Sequence, residues 1–515
     1  MFQAGAYFQD EVQVNNNFKL TVGMRFDAPI WSDGLVNDSF NTTTVGLLEA
    51  AGKDIQGARV GTGVSTTIHF SPRVGFNWNV NGESETQVRG GFGVFTSRVP
   101  LVWPGAVYNN NGMAIAAADA GDLAATGHTF IADPFAQPVG AAVGSGQLGG
   151  DINLFSKDFK LPQVFKINLA VDQKLPFWGL TGSFDFLYSN NISAVYYENL
   201  NLKEPTQFQT GTGDTRPFYN RNDRIDPTYY GIYLGSNTSK GDSWNTSVTL
   251  TKPYANGFTG SISYGYGDSR SVFEGTSSQN SSQWRYQVTA NGKNSDLSAS
   301  RSQFSQGHRI IANASYEVKW NDNVKTTFGL FYEGVNGNPY HFIYDDKKDL
   351  LNDDSSDAAL LYVPLNASDI RLKDGANGLT SAQQWEALDA YIEGDSYLKT
   401  RRGKYAERNA ERGPWSHVVD LKILQDFSLK FGEKTHTFQA TLDIFNFTNL
   451  LNKKWGVRQY AGSFGNVELL TTESNGTEPV FSFDPSVVDN IFQIDDSGIE
   501  SSRWQMQFGL RYIFN

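Results

Sequence analysis

The side chains of this chain best placed to do chemistry are charged residues set into otherwise alternating runs. Glu11, Arg25, Arg73, Arg89, Asp185, Glu317, Lys319, Asp420, Lys422 and Arg511 all lie on the polar parity of such runs. A period of two puts one parity on one face of a strand, so these charges share a wall that faces away from the apolar side chains. Such a wall can pair ions or line the path of a polar solute. Enzyme signatures are absent: the histidines (69, 128, 308, 341, 417, 436) form no HExxH, and no GxSxG occurs. The stretch Gly144-Ser145-Gly146-Gln147-Leu148-Gly149 matches GxGxxG. It lacks a preceding strand and a following helix, so it reads as a loop rather than a nucleotide cradle. Neither enzymatic activity nor a cofactor is expected.

Two further clusters invite chemistry. Asp345, Asp346, Asp349, Asp353, Asp354 and Asp357 offer hard oxygen ligands to Ca²⁺, but without EF-hand spacing. A solvated loop is the better reading, so no metal is expected there. Thr380 to Tyr397 reads as a helix. Thr380 can cap it with Gln383 at the capping-box position, and Trp385, Leu388, Tyr391 and Ile392 share one face. That face either packs on the rim of its own fold or docks a partner.

The elements that must position these residues are strands. In Arg503–Asn515, Trp504, Met506, Phe508, Leu510, Tyr512 and Phe514 oppose Arg503, Gln505, Gln507, Gly509 and Arg511. The same unit recurs along the chain. Examples are Phe2–Val14 with Phe18–Asp27, Ile68–Val80 with Val88–Val94, and Phe165–Asp172 with Leu180–Tyr188. Others are a long strand over Tyr230–Lys252, with two strands there as the alternative, then Phe258–Tyr266, Ile310–Lys319, Val324–Tyr332, Val419–Ile423 and Phe438–Ile444. Short turns near residues 15, 82, 177, 255, 322 and 433 alternate with segments of tens of residues. Apolar-out, polar-in strands with that asymmetry predict an all-β, antiparallel transmembrane β-barrel with long external loops.

Composition agrees. Only 39% of the 515 residues are hydrophobic, and no run approaches a spanning helix. Alternation halves the apparent hydropathy of every barrel strand. A net charge of -12 argues against a nucleic-acid partner, and the absence of cysteine removes disulfides and thiolate metal sites. The opening MFQAGAYFQDEV does not read as a signal peptide, so the exported chain is expected to be processed or truncated. Thirteen strands with the last ending on the short-turn side would start on the long-loop side. The expectation is therefore a C-terminal portion of one barrel domain, closed by strands from elsewhere.

The stretch DAYIEGDSYLKTRRGKYAERNAERGPWSHVVDLKILQDFSL (Asp389–Leu429) resembles the C-terminal barrel of TonB-dependent outer-membrane receptors. The Oar-like subgroup, common in Bacteroidetes, is the most similar. TLDIFNFTNLLNKKWG (Thr441–Gly456), GIYLGSNTSKGDSWNTSVTL from Gly231 and SPRVGFNWNV from Ser71 carry the same resemblance. It implies a 22-stranded barrel with an N-terminal plug, a TonB box and an N-terminal carboxypeptidase-regulatory-like sandwich, none of which occurs in this sequence. It also implies partners: outer-membrane lipid, the inner-membrane TonB complex reached through N-terminal residues outside this sequence, and an unknown substrate, with a leaning towards peptide or protein cargo. The expected function is energised transport across the outer membrane. The alternative is a surface adhesion, secretion or scaffold component that uses the barrel without pumping, and a passive porin comes third.

Overall fold

The computed structural model describes every residue except 1, 84, 115, 118–130, 137–146, 149, 346–348, 355–358, 463–464, 496–501 and 515. Thirteen strands follow one another in a single antiparallel path, each paired with its sequence neighbour in the sheet. They are β1 (Phe2–Asn15), β2 (Phe18–Ile30), β3 (His69–Asn79), β4 (Thr86–Thr96), β5 (Gln163–Lys174) and β6 (Thr181–Asn199). The path continues through β7 (Asp242–Ala255), β8 (Phe258–Ser271), β9 (Gly307–Asn321), β10 (Val324–Val335), β11 (Ser416–Phe431), β12 (Lys434–Phe445) and β13 (Gln505–Phe514). The outermost strands, β1 and β13, each have one neighbour among the described residues, so the sheet is open.

One end of the sheet is made of tight turns. The β7–β8 turn is Asn256-Gly257, with φ of 53° and 82°. Positive φ at both positions suits the twist of the flanking strands, and Asn-Gly is the pair that adopts it most cheaply. A Cβ at residue 257 would also meet the Glu317 carbonyl oxygen at 2.6 Å.

Register fixes the two faces. On the apolar face a single rung crosses six strands: Phe258, Tyr316, Phe328, Ile423, Leu442 and Phe508 sit directly opposite one another in turn. These side chains have no protein layer over them; Phe508 is 67% exposed. An unburied apolar band of this extent is the surface a barrel presents to lipid.

The other end is a packed layer, here called the crown. The long segments between β2 and β3, β4 and β5, β6 and β7, β8 and β9, β10 and β11, and β12 and β13 all enter it. The alternation predicts external loops for these segments. Instead they carry the molecule's hydrophobic core, with Trp103, Phe155, Tyr197, Trp284, Phe342, Leu361, Leu388 and Phe483 among its fully or nearly buried members. A small sheet inside the crown joins Pro339–Asp345, Glu411–Arg412, Asn466–Ser474 and Val480–Ser482. The expected single strand over Tyr230–Lys252 is two. Gly231–Thr238 lies in the crown, where it pairs with the outer half of β6 and with Asp151–Phe155, and β7 begins at Asp242. Gly241, at φ 107°, makes the break, and its Cβ position lies 2.7 Å from the Arg270 carbonyl oxygen.

The face assignment has a direct test. Leu330→Arg, mid-strand on the apolar face, should destabilise the folded protein in vesicles by about 2–4 kcal/mol. Thr327→Arg, on the opposite face of the same strand, should cost less than ~1 kcal/mol. Equal costs in urea unfolding would show that the faces are assigned wrongly.

Candidate functional site

The polar face opposite the lipid band is built by the same register. Glu11 pairs across to Thr21, Thr21 to Gly75, Gly75 to Gly91, and Gly91 to Asn168. Arg89, Ala170, Asp185 and Ser247 form a further rung, which continues through Gly265 to the parity of Arg309 and Glu317. Beyond it, Phe331 lies opposite Asp420, Gly329 opposite Lys422, and Gln439 opposite Arg511. The ladder thus brings all ten charged residues singled out in the sequence onto one wall.

Most of those charges are neutralised within the wall. Arg89 bridges Asp172 at 3.1 Å and Asp185 at 3.2 Å. Lys325 lies 3.2 Å from Glu317 and 3.5 Å from Asp426, with Lys319 3.7 Å from Glu317. Arg25 meets Asp27 at 2.8 Å, Lys422 meets Asp443 at 2.8 Å, and Lys19 pairs with Glu11. Asp420 accepts the Asn446 backbone N–H at 2.7 Å. At least one partner of nearly every pair is solvated, so each is worth only ~0–1 kcal/mol. Their effect is to set a mixed, low-field lining rather than to hold the sheet together.

One stretch differs. Arg73 and Lys166 make no ion pair among the described residues. Both stand over the Phe95 ring, at 5.2 and 5.7 Å. Between them the wall is glycine: Gly23, Gly75, Gly91 and Gly93 carry the same parity. A Cβ at residue 93 would meet the Pro72 carbonyl oxygen at 2.8 Å. The result is a bare backbone floor beside two uncompensated cations.

The crown handles charge in the opposite way. Lys293 and Asp353, both fully buried, meet at 3.2 Å beneath the Trp284 ring. Arg216, also fully buried, lies between the Tyr344 and Tyr405 rings and donates to Asp214 at 2.8 Å. The Lys293–Asp353 pair joins segments distant in sequence, and Arg216 does so through those rings and the Leu360 carbonyl oxygen, to which it donates at 3.0 Å. Asp354 pairs with Arg285 at 2.8 Å and lies 3.8 Å from Arg221, while Asp345 accepts from Thr471 at 3.3 Å. Asp349 accepts the Asp354 backbone N–H at 2.9 Å. The acidic run is therefore not a solvated loop: its described members anchor basic, hydroxyl and backbone N–H groups. No group of three metal-ligating side chains occurs among the described residues. Asp346 and Asp357 lie outside the described residues, as does most of Gly144–Gly149.

The helix is α1, Ser381–Gly394, shorter at its C-terminus than the sequence reading. Thr380 Oγ1 accepts the Gln383 N–H at 3.3 Å, and Gln383 Oε1 accepts the Thr380 N–H at 2.9 Å. Leu388 and Ile392 are fully buried, and Trp385 and Tyr391 pack against the same core. The face thus closes onto the chain's own crown. Gln384, missed in the sequence, is fully buried and ties α1 to Lys373 and Phe483. The buried Lys293–Asp353 pair left no trace in periodicity, because its partners lie in different segments.

His341 is fully buried in the small crown sheet, and burial pushes its pKa down to about 4. A pKa depressed below the ordinary value means the unfolded chain binds the extra proton first. The stabilisation is therefore present above pH ~6.5 and is lost as pH falls towards 4, for a total of roughly 3 kcal/mol. Protection factors of crown amides, with the intrinsic pH dependence of exchange divided out, should fall over that window, and His341→Gln should flatten the dependence. Lys293→Met should loosen the crown by about 3–5 kcal/mol, because the buried Asp353 carboxylate loses its cation, and Lys293→Met/Asp353→Leu should recover most of it.

With this geometry in place, comparison with known proteins gives the following. A family model described as an outer membrane beta barrel domain matches residues 1–476. Among solved structures, the outer membrane transporter YddB from Escherichia coli is 9% identical, over 87% of this chain and 51% of that one, with a TM-score of 0.41. The siderophore receptor PiuA from Acinetobacter baumannii is 10% identical, over 100% of this chain and 43% of that one, with a TM-score of 0.36. The copper transporter OprC is 8% identical, over 87% of this chain and 42% of that one, with a TM-score of 0.36. The chain spans about half the length of these proteins or less. No curated protein matches it.

Proposed function

This chain belongs to the outer membrane beta barrel domain family and lies in the outer membrane, and we propose that it is part of the wall of a TonB-dependent transporter. In this reading the crown faces the cell exterior and receives a large solute. The solute then passes along the polar wall under energy delivered from the inner-membrane TonB complex. The protein does no covalent chemistry of its own. A peptide or protein cargo follows from the Oar-like resemblance in Asp389–Leu429.

The observation that carries the proposal is a solvated, charge-balanced inner wall beneath a densely packed crown. A passive pore needs an open mouth, whereas a gated transporter needs a surface layer that recognises solute before admitting it. Arg73 and Lys166, free of carboxylate partners among the described residues and set beside a glycine floor, are the wall groups best placed to touch an anionic part of the cargo. Open edges in lipid cost several kcal/mol per unpaired group, so further strands close the sheet at β1 and β13, to a total of 22 on this reading. The depth of the crown's own core supports a second reading, a rigid surface platform for adhesion or secretion partners.

Cells carrying the protein should deplete a peptide mixture from the medium, and depletion should stop when the proton-motive force is collapsed. Arg73→Gln/Lys166→Gln should lower the rate about tenfold at an unchanged amount of protein in the outer membrane. Depletion indifferent to the proton-motive force would overturn energised transport. No depletion, with stable co-purification of envelope proteins, would favour the platform. An intact mass well above 57.0 kDa from outer membranes is expected if the chain's own strands close the sheet. A mass near that value would assign closure to a second polypeptide.

A further inference from the structure

Three histidines on the lipid-facing surface repeat one arrangement. Tyr264 hydroxyl lies 2.7 Å from His308 Nδ1, Tyr332 hydroxyl 2.8 Å from His417 Nδ1, and Tyr512 hydroxyl 2.5 Å from His436 Nδ1. Each dyad joins neighbouring strands diagonally. His308 lies opposite Tyr266 while Tyr264 lies opposite Ile310. His417 lies opposite Gly334 while Tyr332 lies opposite Val419. His436 lies opposite Phe514 while Tyr512 lies opposite Phe438. In every case the tyrosine is one rung deeper in the membrane and the imidazole one rung nearer the water. Diagonal neighbours across antiparallel strands are within reach of long side chains, so the register supplies the geometry.

At the crown end the two dyads are joined into a strip. Trp415 stacks between His308, at 6.0 Å, and His417, at 5.8 Å, and Tyr332 continues the stack at 6.1 Å. Residue 334 must be glycine for this: a Cβ there would lie 2.5 Å from the Tyr332 hydroxyl and 3.3 Å from His417 Nδ1. Aromatic side chains gather at both rims of a barrel, but imidazoles bound in this way add something that rings alone lack. If the tyrosine donates to Nδ1, the imidazole keeps its Nε2–H. If Nδ1–H donates to the tyrosine, the tyrosine keeps its O–H. Either tautomer leaves one donor per dyad without an acceptor among the described residues, and the exposed Trp415 indole N–H makes a third.

We propose that His308, Trp415 and His417, with Tyr264 and Tyr332, form a docking site for a phosphate-bearing lipid headgroup in the leaflet at the crown end of the barrel. The occupant is lipid because the strip is continuous with the apolar band below it, through Ile310 and Val419. Phosphate is the acceptor at headgroup depth able to take several donors at once, and the stack sets the donors of this strip side by side. This inference does not depend on transport.

The test is native mass spectrometry of the full-length protein in detergent, titrated with dioleoylphosphatidylglycerol or with dioleoylglycerol, which lacks the phosphate. The wild type should retain the phosphate-bearing lipid at least fivefold more than dioleoylglycerol. His308→Phe/His417→Phe, which keeps the rings and removes the imidazole N–H donors while leaving those of Tyr264, Tyr332 and Trp415, should at least halve that preference. His308→Gln/His417→Gln, which restores an N–H, should recover it. Equal retention of the two lipids by the wild type overturns the proposal without any variant. An undiminished preference in the Phe pair, or Gln and Phe pairs that behave alike, overturns it as well.

Discussion

A strand in hydrocarbon has no water to satisfy its backbone, so every N–H and C=O must be paired by a neighbouring strand. The rest of this structure follows from that demand. Uninterrupted ladders fix the register, the register fixes the faces, and the faces separate lipid from lumen. The irregularities respect the rule. Register shifts fall at Gln13/Asn15, Gln163/Val164, Lys252/Ala255 and Lys319/Asn321, all at or near strand ends. A bulge at mid-membrane would strand polar groups in lipid and send each following side chain to the wrong face.

Above the sheet the solvent changes, and so does the way stability is assembled. The membrane strands bury no core of their own; their apolar side chains are solvated by lipid. The crown meets water and must bury apolar surface, which it does with residues such as Leu361, Phe483 and Trp284. Charge follows the same division. Wall pairs such as Lys422–Asp443 are solvated and individually weak. Crown pairs such as Lys293–Asp353 are dry, and losing one partner costs far more than the pair contributes. The two regions thus divide the work: the wall tolerates change in its charges, whereas the crown is committed to one arrangement.

The sequence disclosed what is periodic. Parity along Trp504–Phe514 or Ile310–Val318 is visible because lipid and lumen impose a strict period of two, and the wall charges could be sorted by parity alone. The capping box at Thr380 and Gln383 was equally local, and so was the apolar face of α1. What stayed hidden is non-periodic and long-range. The crown core draws on every long segment, and its polar residues, including Gln384, Arg216 and Asp353, look like loop residues until packing brings their partners to them. Only Ser239, Lys240 and Gly241 separate Gly231–Thr238 from β7, so the break leaves little local trace in the sequence.

The His–Tyr dyads mark the boundary between these two kinds of information. Each histidine sits on the apolar parity of its strand, where a period-two reading sees only an interruption. The pairing becomes visible once the register shows the tyrosine one rung deeper on the next strand. That placement also explains why the interruption is tolerated. At mid-membrane an imidazole would need both nitrogens satisfied by protein. At the rim one nitrogen is held by the tyrosine and the remaining donor meets the headgroup layer. A polar residue on a lipid-facing parity is thus an expected feature at strand ends and a costly one at the centre, and its distance from the nearest turn or crown segment distinguishes the two cases.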